Sequence, residues 1–293
     1  MGLFDDFCEI VTPSEPLAPL TWFRLGGPAE YLARPKTVEQ LVGLLRRSRE
    51  AGLPVRILAG GSNVLIRDEG VSGLVLHLES PAFSDVSIRG RRVEAGAAVP
   101  LTALISQTAR AGLAGLEILT GIPGTVGGAL RGNSGVRQGA IGQFVRRVTV
   151  LDATETIVVR EQDDLSFGYR RSNLDDPVLL SAEFELEPED PEAVVKRMRR
   201  VWIAKKENQP YGHLASGCIF KNPTVDVSAG MLVEQAGMKG ARVGGAEVSD
   251  RHANYIVAQP GASAADVLEL IDQIRHKVWD KFGFELELQI QVW

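Results

Sequence analysis

Glycine is concentrated in two short segments, and these constrain the fold more than any other feature of the sequence. The chain has 31 glycines among 293 residues, about 10%, against a usual ~7%. Gly60-Gly61-Ser62-Asn63 comes directly after the apolar segment Val55–Ala59, and Gly121–Gly128 holds four glycines and a proline in eight positions. Because glycine leaves backbone N–H groups uncovered, such segments indicate backbone that lies close to a ligand.

The two glycine segments allow a phosphate-binding and a purely structural interpretation. The first could form a nest of N–H groups for phosphate oxygens, with Ser62 and Asn63 adding short side-chain donors. Its spacing is neither that of a P-loop nor that of GxGxxG, and a plain tight turn explains it equally well. The second could lie flat against a pyrophosphate or a flavin ring, or be a structural loop. We expect little regular structure in residues 121–142.

Composition and charge exclude several classes of protein. The net charge of −5 argues against a nucleic-acid-binding surface. Two cysteines, Cys8 and Cys218, build neither a disulfide framework nor a zinc site, and no two histidines have metal-ligand spacing. The first residues lack a signal-peptide pattern, and no apolar run reaches the ~18–20 residues of a membrane span. We therefore expect a soluble, cytoplasmic protein without metal, nucleic-acid partner or membrane insertion.

The length allows two or three domains, and element patterns divide the chain into three segments of mixed helices and strands. Residues 1–79 contain a βαβ unit, whose helix is capped by Thr37 and ends at Gly52. Residues 80–207 are mostly hairpins with flanking helices. Residues 208–293 include a predicted strand at Cys218–Phe220, a long amphipathic helix between Ser263 and Gly283, and a final strand at Phe284–Val292. That last strand could return to the first domain.

Two further segments carry side chains with reactive or anion-binding chemistry. Arg170, within Phe167–Ser172, could hold a carboxylate through two parallel hydrogen bonds, or be an ordinary exposed arginine. Cys218, within Ser216–Pro223, follows a glycine and could deliver a proton, or be a buried, inert thiol. Basic residues among the glycines of 237–246 could bind a diphosphate. A serine-hydrolase interpretation fails, because no G-x-S-x-G sequence occurs.

Taken in order, these segments resemble one family, the UDP-N-acetylmuramate dehydrogenases, also called UDP-N-acetylenolpyruvoylglucosamine reductases. The resemblance runs from about Thr21 to Ile290 and follows the shorter of two family subtypes. Each motif alone is weak, whereas the ordered set is specific. The segments that carry it are Thr21–Gly27, Gly60–Asn63, Gly121–Gly124, Tyr169-Arg170, Gly217–Pro223 and Ala229–Asn254.

The resemblance implies the fold and the ligands. It implies a three-domain α+β flavoprotein with a vanillyl-alcohol-oxidase-like FAD-binding fold, divided into residues 1–79 and 80–207, and a C-terminal substrate-binding domain, residues 208–293. FAD would be non-covalent, since the two loops contain no histidine or cysteine. Tyr169, Lys221 and Asn222 would bind substrate. The residues that would bind FAD are Gly60, Gly61, Ser62, Asn63, Gly121, Ile122, Pro123, Gly124 and Gly128.

The resemblance also implies the reaction. NADPH reduces FAD, and flavin N5 then gives hydride to the enol ether of UDP-N-acetylglucosamine enolpyruvate, which forms UDP-N-acetylmuramate for peptidoglycan. A guanidinium suits the negative charge that develops on the substrate, and a placed acid suits the protonation that follows. The resemblance implies that Arg170 stabilises the charge and that Cys218 donates the proton.

Two positions depart from the pattern of the family. Cys218 stands where serine is common, and a thiol, with a reference pKa near ~8.5, is the better acid. Gln289 stands where a catalytic glutamate is expected. Either Glu287, two residues earlier on the same strand face, replaces it, which we favour, or Gln289 serves as a neutral hydrogen-bond donor. Two alternative functions stay open, namely another flavin oxidase of the same fold and a nucleotide-sugar-binding protein without catalysis.

Overall fold

The computed structural model describes residues 2–293, which divide into two compact units. Unit 1 contains the chain up to Pro13, Tyr31–Gly60 and Gly73–Lys205. Unit 2 contains Ser14–Glu30, Gly61–Ser72 and Lys206–Trp293. The boundary between units therefore falls inside the first glycine segment, between Gly60 and Gly61.

Residues 2–293 contain six α-helices and six short 3₁₀ turns. The α-helices are α1 (Val38–Glu50), α2 (Leu101–Arg110), α3 (Val126–Arg131), α4 (Pro191–Asn208), α5 (Ala229–Gln235) and α6 (Ala264–Phe282). The 3₁₀ turns are Asp5–Phe7, Ala18–Leu20, Pro81–Phe83, Leu116–Leu119, Ile141–Phe144 and Gln162–Asp164. None of the helices in the described chain is both long and apolar enough to cross a lipid bilayer.

The same residues form twenty strands, many of them only two residues long. In chain order they are β1 (Val11–Pro16), β2 (Pro28–Ala33), β3 (Val55–Leu58), β4 (Val64–Leu65), β5 (Val71–His77), β6 (Val86–Arg89), β7 (Arg92–Gly96), β8 (Leu113–Ala114), β9 (Gly135–Val136), β10 (Gly139–Ala140), β11 (Val145–Leu151), β12 (Ile157–Glu161), β13 (Phe167–Gly168), β14 (Arg171–Ser172), β15 (Val178–Glu185), β16 (Glu187–Pro188), β17 (Arg242–Val243), β18 (Ala246–Val248), β19 (Ile256–Ala258) and β20 (Gln291–Val292).

Unit 1 contains two sheets, each with its own hydrophobic cluster. The first sheet has the order β1-β2-β5-β3, with β3 and β5 parallel, and α1 buries Leu41 and Leu44 in its cluster. Thr37 accepts a hydrogen bond from the Gln40 N–H at the start of α1, as predicted. The second sheet has the order β12-β11-β15-β7-β6, and all its pairs are antiparallel. Its cluster includes residues of α2 and α3, so the second glycine segment is anchored to this core.

Unit 2 is built around α6 and a three-stranded sheet, β17-β18-β19. The amphipathic face of α6 buries Val267, Leu270, Ile271, Ile274 and Val278, as its spacing predicts. Its start is fixed by a capping box between Ser263 and Asp266, and Asp68 accepts from the Ala264 and Ala265 N–H groups. The final strand, β20, pairs in parallel with β4, directly after the first glycine segment.

Three expectations about secondary structure are wrong. The segment 121–142 contains α3, since Thr125 caps a helix that the glycines do not prevent. Cys218–Phe220 is no strand, because Phe220 forms only an isolated bridge with Leu288. The strand expected at Phe284–Val292 is reduced to β20, since residues 287–289 meet Ile219–Lys221 only through the isolated Phe220–Leu288 bridge. The division into three domains stays a prediction.

The end of α6 gives a test of local backbone strain. Gly283 has a left-handed conformation, φ +68°, and an added Cβ would meet no atom within 4 Å. Gly283→Ala should therefore lower the free energy of unfolding by about 1 kcal/mol through backbone strain alone. Gly283→Asn should cost less, because asparagine tolerates this conformation. Urea unfolding measures both, and equal losses would contradict the explanation.

Candidate functional site

The two predicted glycine loops touch each other through their backbones in unit 1. A Cβ on Gly60 would lie 2.8 Å from the Cα of Gly124, closer than real side chains approach. The second loop is held in place by the segment before α2, since the Leu101 N–H donates to the Gly124 carbonyl and the Gly127 N–H to the Ala97 carbonyl, at 2.9 and 2.8 Å. Only glycine at position 60 permits this approach.

The first glycine loop presents a run of uncommitted backbone donors. Within residues 2–293, the N–H groups of Gly60, Gly61, Ser62 and Asn63 donate to no protein acceptor, and the same holds for Gly124 in the second loop. Gly61 is buried and Ser62 half-buried. Because folded proteins satisfy nearly all backbone donors away from bulk water, the successive donors of Gly61–Asn63 in unit 2 are suited to phosphate oxygens, and so, separately, are those of Gly60 and Gly124 in unit 1.

The N-terminal motif, Thr21–Gly27, supports the first loop within unit 2. The Trp22 N–H donates to the Gly61 carbonyl at 3.0 Å. Gly61 has φ +62°, and a Cβ there would lie 2.8 Å from the Cα of Thr21. Thr21 and Phe23 are buried, so this motif forms a fixed wall behind the glycine loop.

Ser62 and Asn63 join the first loop to two segments that carry predicted catalytic residues. The Ser62 carbonyl accepts from the Gly217 N–H at 3.2 Å, directly before Cys218. The Asn63 Nδ2 donates to the Gln289 carbonyl at 3.0 Å, and the Asn63 carbonyl accepts from the Gln291 N–H at 2.9 Å. Unit 2 thus brings together the first glycine loop, the Cys218 segment and the C-terminal segment.

The predicted acidic and substrate-binding residues of unit 2 lie around the same Cys218 segment. Cys218 is half-buried. Lys221 Nζ forms an ion pair with Glu287 Oε1 at 2.5 Å, and the Glu287 side chain is 73% exposed. The Lys221 N–H also donates to the Glu287 carbonyl at 2.8 Å. Asn222 Oδ1 accepts from the Ala229 N–H, at the start of α5. The carboxyl group of Glu287 therefore lies directly beside the ammonium group of Lys221.

Arg170 lies at the tip of the hairpin β13–β14 in unit 1. Its backbone is left-handed, φ +54°, and its Nη1 donates to the Gly135 carbonyl at 2.8 Å. The guanidinium carbon lies 5.6 Å from the centre of the Tyr169 ring. The hairpin is tied to the glycine-rich segment, because Asn133 Nδ2 donates to the Gly168 carbonyl at 2.8 Å. Tyr169 is 56% exposed, so its ring is accessible to a ligand.

Arg131 and Asn133 anchor this hairpin, and neither was among the predicted site residues. The Arg131 carbonyl accepts from Ser172 Oγ at 3.0 Å, and Arg131 Nη2 donates to the Asp176 carbonyl at 2.7 Å. Burial lowers the pKa of Arg131, which Asp175 and Asp176 partly oppose. Asn133 is buried, and its φ of +41° is a conformation that asparagine tolerates. An asparagine among glycines was the one available signal.

Residues 2–293 contain no group of three or more histidine, cysteine or carboxylate side chains placed to hold a metal ion. His252 is the histidine whose pKa shifts clearly, since burial lowers its pKa below the usual range. The imidazole is therefore neutral at neutral pH, with Nδ1 accepting from the Asn254 N–H at 3.2 Å. The His252 ring therefore serves as a hydrogen-bond acceptor within the loop 249–255.

Two families of known proteins match this chain, one before the helix α4 and one after it. Residues 29–160 match the family described as "FAD binding domain". Residues 209–293 match the family described as "UDP-N-acetylenolpyruvoylglucosamine reductase, C-terminal domain". The two matches place the glycine loops in one family region and the Cys218 segment in the other.

Relatives that match nearly the whole chain are also described as UDP-N-acetylenolpyruvoylglucosamine reductases. The UDP-N-acetylenolpyruvoylglucosamine reductase of Heliobacterium modesticaldum is 41% identical, with 95% of this chain and 89% of the relative covered. The reductase of Moorella thermoacetica is 42% identical, with 97% of this chain and 93% of the relative covered. The crystal structure of the reductase from Thermus caldophilus superposes with a TM-score of 0.82 at 37% identity. The superposition covers 95% of this chain and 97% of that structure.

A more distant structure supports the fold alone. A BBE-like protein of Physcomitrella patens has a TM-score of 0.60 at 15% identity, with 96% of this chain and 89% of that chain covered. With the two family matches, this confirms the predicted class, an α+β flavoprotein of the vanillyl-alcohol-oxidase-like FAD-binding superfamily with a distinct C-terminal domain.

The contact between the glycine loops is tested by one added methyl group. Gly60→Ala forces its Cβ against the backbone of Gly124, so the free energy of unfolding should fall by roughly 1–3 kcal/mol, as for other overpacked sites. Gly132→Ala is the matched control, because its Cβ has only ordinary contact, 3.7 Å from the Gly128 carbonyl oxygen. Urea unfolding measures both variants. A Gly60→Ala protein as stable as the Gly132→Ala protein would show that the loops do not touch.

Proposed function

Because the chain belongs to the UDP-N-acetylenolpyruvoylglucosamine reductase family, an FAD-dependent group of oxidoreductases, we propose that it uses NADPH to reduce UDP-N-acetylglucosamine enolpyruvate to UDP-N-acetylmuramate. This step belongs to the synthesis of peptidoglycan precursors in the cytoplasm. The observation that carries the proposal is the pair of touching glycine loops with uncommitted N–H donors.

The residues of the two loops fit the dinucleotide part of FAD. The N–H groups of Gly60–Asn63 and of Gly124 would bind pyrophosphate oxygens. Gly121, Ile122, Pro123 and Gly128 would complete a surface with little side-chain bulk, against which the cofactor lies. FAD, when bound, supplies the hydride transfer that no protein side chain can perform.

Arg170 would stabilise the negative charge that develops on the substrate. Hydride arriving at the β carbon of the enolpyruvyl group moves the double-bond electrons through the α carbon onto the carboxylate. A guanidinium can meet such a carboxylate with two parallel hydrogen bonds. The Gly135 carbonyl accepts from Nη1 of Arg170, which fixes the orientation of the guanidinium plane. Tyr169 would contact the substrate beside it.

Cys218 would complete the reaction by giving its thiol proton to the α carbon. The thiolate that results takes a proton from solvent before the next turnover. Lys221 and Asn222, three and four residues later, would bind the substrate. The ion pair of Glu287 with Lys221 supports a role for Glu287 in orienting that lysine, while Gln289 would serve as a neutral hydrogen-bonding group.

Substrate-dependent oxidation of NADPH tests the proposed reaction directly. Purified protein with bound FAD should consume NADPH, followed at 340 nm, only when UDP-N-acetylglucosamine enolpyruvate is present. A yellow protein that ignores NADPH and is rapidly reoxidised by oxygen would instead be a flavin oxidase. A colourless protein without affinity for FAD would be a nucleotide-sugar-binding protein.

The role of Cys218 is tested by a matched pair of variants. Cys218→Ala should still let NADPH reduce the flavin, yet lower turnover about 10²–10⁴-fold, the usual contribution of a general acid. Cys218→Ser supplies a hydroxyl proton and should keep turnover well above that of the alanine variant. Stopped-flow absorbance separates the two half-reactions. Normal turnover by Cys218→Ala would contradict the assignment of the proton donor.

A further inference from the structure

We infer that Asn254 is the positioning residue for Cys218, through a pair of side-chain hydrogen bonds to the peptide groups of Phe220. The inference rests on the proposed function, in which Cys218 protonates the substrate. Asn254 ends the segment Ala229–Asn254, in which the sequence assigns no role to this amide.

Asn254 holds the chain just after Cys218 at three points. The Phe220 N–H donates to Asn254 Oδ1 at 2.9 Å, and Asn254 Nδ2 donates to the Phe220 carbonyl at 2.8 Å. The Ile219 N–H donates to the Asn254 backbone carbonyl at 2.9 Å. Asn254 is 3% exposed, and Ile219 and Phe220 are each 1% exposed. These hydrogen bonds are therefore shielded from water, where losing a partner is costly.

Cys218 is consequently fixed on both sides. The Gly217 N–H is bonded to the Ser62 carbonyl at 3.2 Å, and the Ile219 N–H to the Asn254 carbonyl. On one edge this segment is bonded to residues 287–289, since the Gln289 N–H donates to the Ile219 carbonyl and the Lys221 N–H to the Glu287 carbonyl, both at 2.8 Å. The Phe220 N–H and carbonyl face the other edge, where the side chain of Asn254 bonds both groups in place of a further strand.

Asn254 is itself held in a tight loop. Its N–H donates to Nδ1 of His252 at 3.2 Å, and the His252 ring packs edge-on against Tyr255, with centroids 4.9 Å apart. Ser249 Oγ accepts from the N–H groups of Arg251 and His252. The neutral imidazole keeps its role as an acceptor. These contacts hold the side-chain amide of Asn254 in one orientation toward Phe220, as a positioning residue requires.

Proton transfer to carbon depends steeply on the position of the donor. A misplacement of about 1 Å can reduce a rate on the order of 10²-fold. Asn254→Asp keeps the shape of the side chain and the acceptor for the Phe220 N–H, but a carboxylate cannot donate to the Phe220 carbonyl. The change therefore shifts the segment that carries Cys218 without altering the thiol itself.

The experiment measures both half-reactions of the FAD-loaded protein by stopped flow. Asn254→Asp should slow the reoxidation of reduced flavin by UDP-N-acetylglucosamine enolpyruvate on the order of 10²-fold, and leave reduction of the flavin by NADPH unchanged. Gly283→Ala is the control for general destabilisation, because it strains unit 2 far along the chain from Cys218. That variant should leave both rates unchanged.

A double variant separates positioning from a merely structural role. If Asn254 acts through Cys218, adding Asn254→Asp to Cys218→Ala should slow reoxidation no further, whereas independent effects would multiply. Multiplying effects, or an Asn254→Asp protein with normal reoxidation, would overturn the inference. If Cys218→Ala alone reoxidises normally, the proposed function of the thiol fails instead, so the two failures are distinguishable.

A second readout needs no turnover. In a Cys8→Ser background, the rate at which iodoacetamide alkylates Cys218 should change when Asn254→Asp moves the thiol, and an unchanged rate would contradict the inference. If the aspartate variant does not fold, Asn254→Gln keeps both amide groups on a side chain one methylene longer. It should give the same selective loss of reoxidation, and a normal rate would likewise overturn the proposal.

Discussion

The structure depends on the direct backbone contact between Gly60 and Gly124. No side chain fits between these residues, so two turns that are far apart in the sequence present their N–H groups side by side. The contact is maintained by the parallel pair β3–β5 behind the first loop and by hydrogen bonds from the segment before α2 to the second. A ligand with neighbouring phosphates is what such an arrangement of donors suits best.

The same first loop organises unit 2. Its last two residues accept from or donate to the Cys218 segment and the C-terminal segment, so a change in the loop reaches the proposed proton donor through the hydrogen bond between Gly217 and Ser62. Arg170 is fixed separately in unit 1, where the Gly135 carbonyl orients its guanidinium and Asn133 holds its hairpin. In both units, a buried asparagine bonded to a backbone carbonyl secures the segment that carries the reactive side chain.

Much of this could be predicted from the sequence where a local rule decides the outcome. Thr37 and Ser263 cap helices, Gly283 ends one in a left-handed conformation, and the glycine segment 60–63 follows the strand β3. The rest depends on contacts between distant parts of the chain. α3 forms despite its glycines because Thr125 caps it. The alternating apolar residues of 284–290 meet the Cys218 segment only at the Phe220–Leu288 bridge, and the side chain of Asn254 bonds the opposite edge of Phe220. A contact of this kind, from an asparagine side chain to a peptide group, leaves no periodic pattern in the sequence.

Binding of the FAD pyrophosphate by glycine-loop N–H groups can be measured by comparing flavins with and without that part of the cofactor. Isothermal titration calorimetry of the flavin-free protein with FAD and with riboflavin gives the difference, because both share the ring and the ribityl chain and only FAD has the pyrophosphate with its adenosine. Tight binding of FAD is expected, with riboflavin binding weaker by several orders of magnitude. Equal affinity for the two flavins, or no binding of FAD, would contradict pyrophosphate binding by the loops.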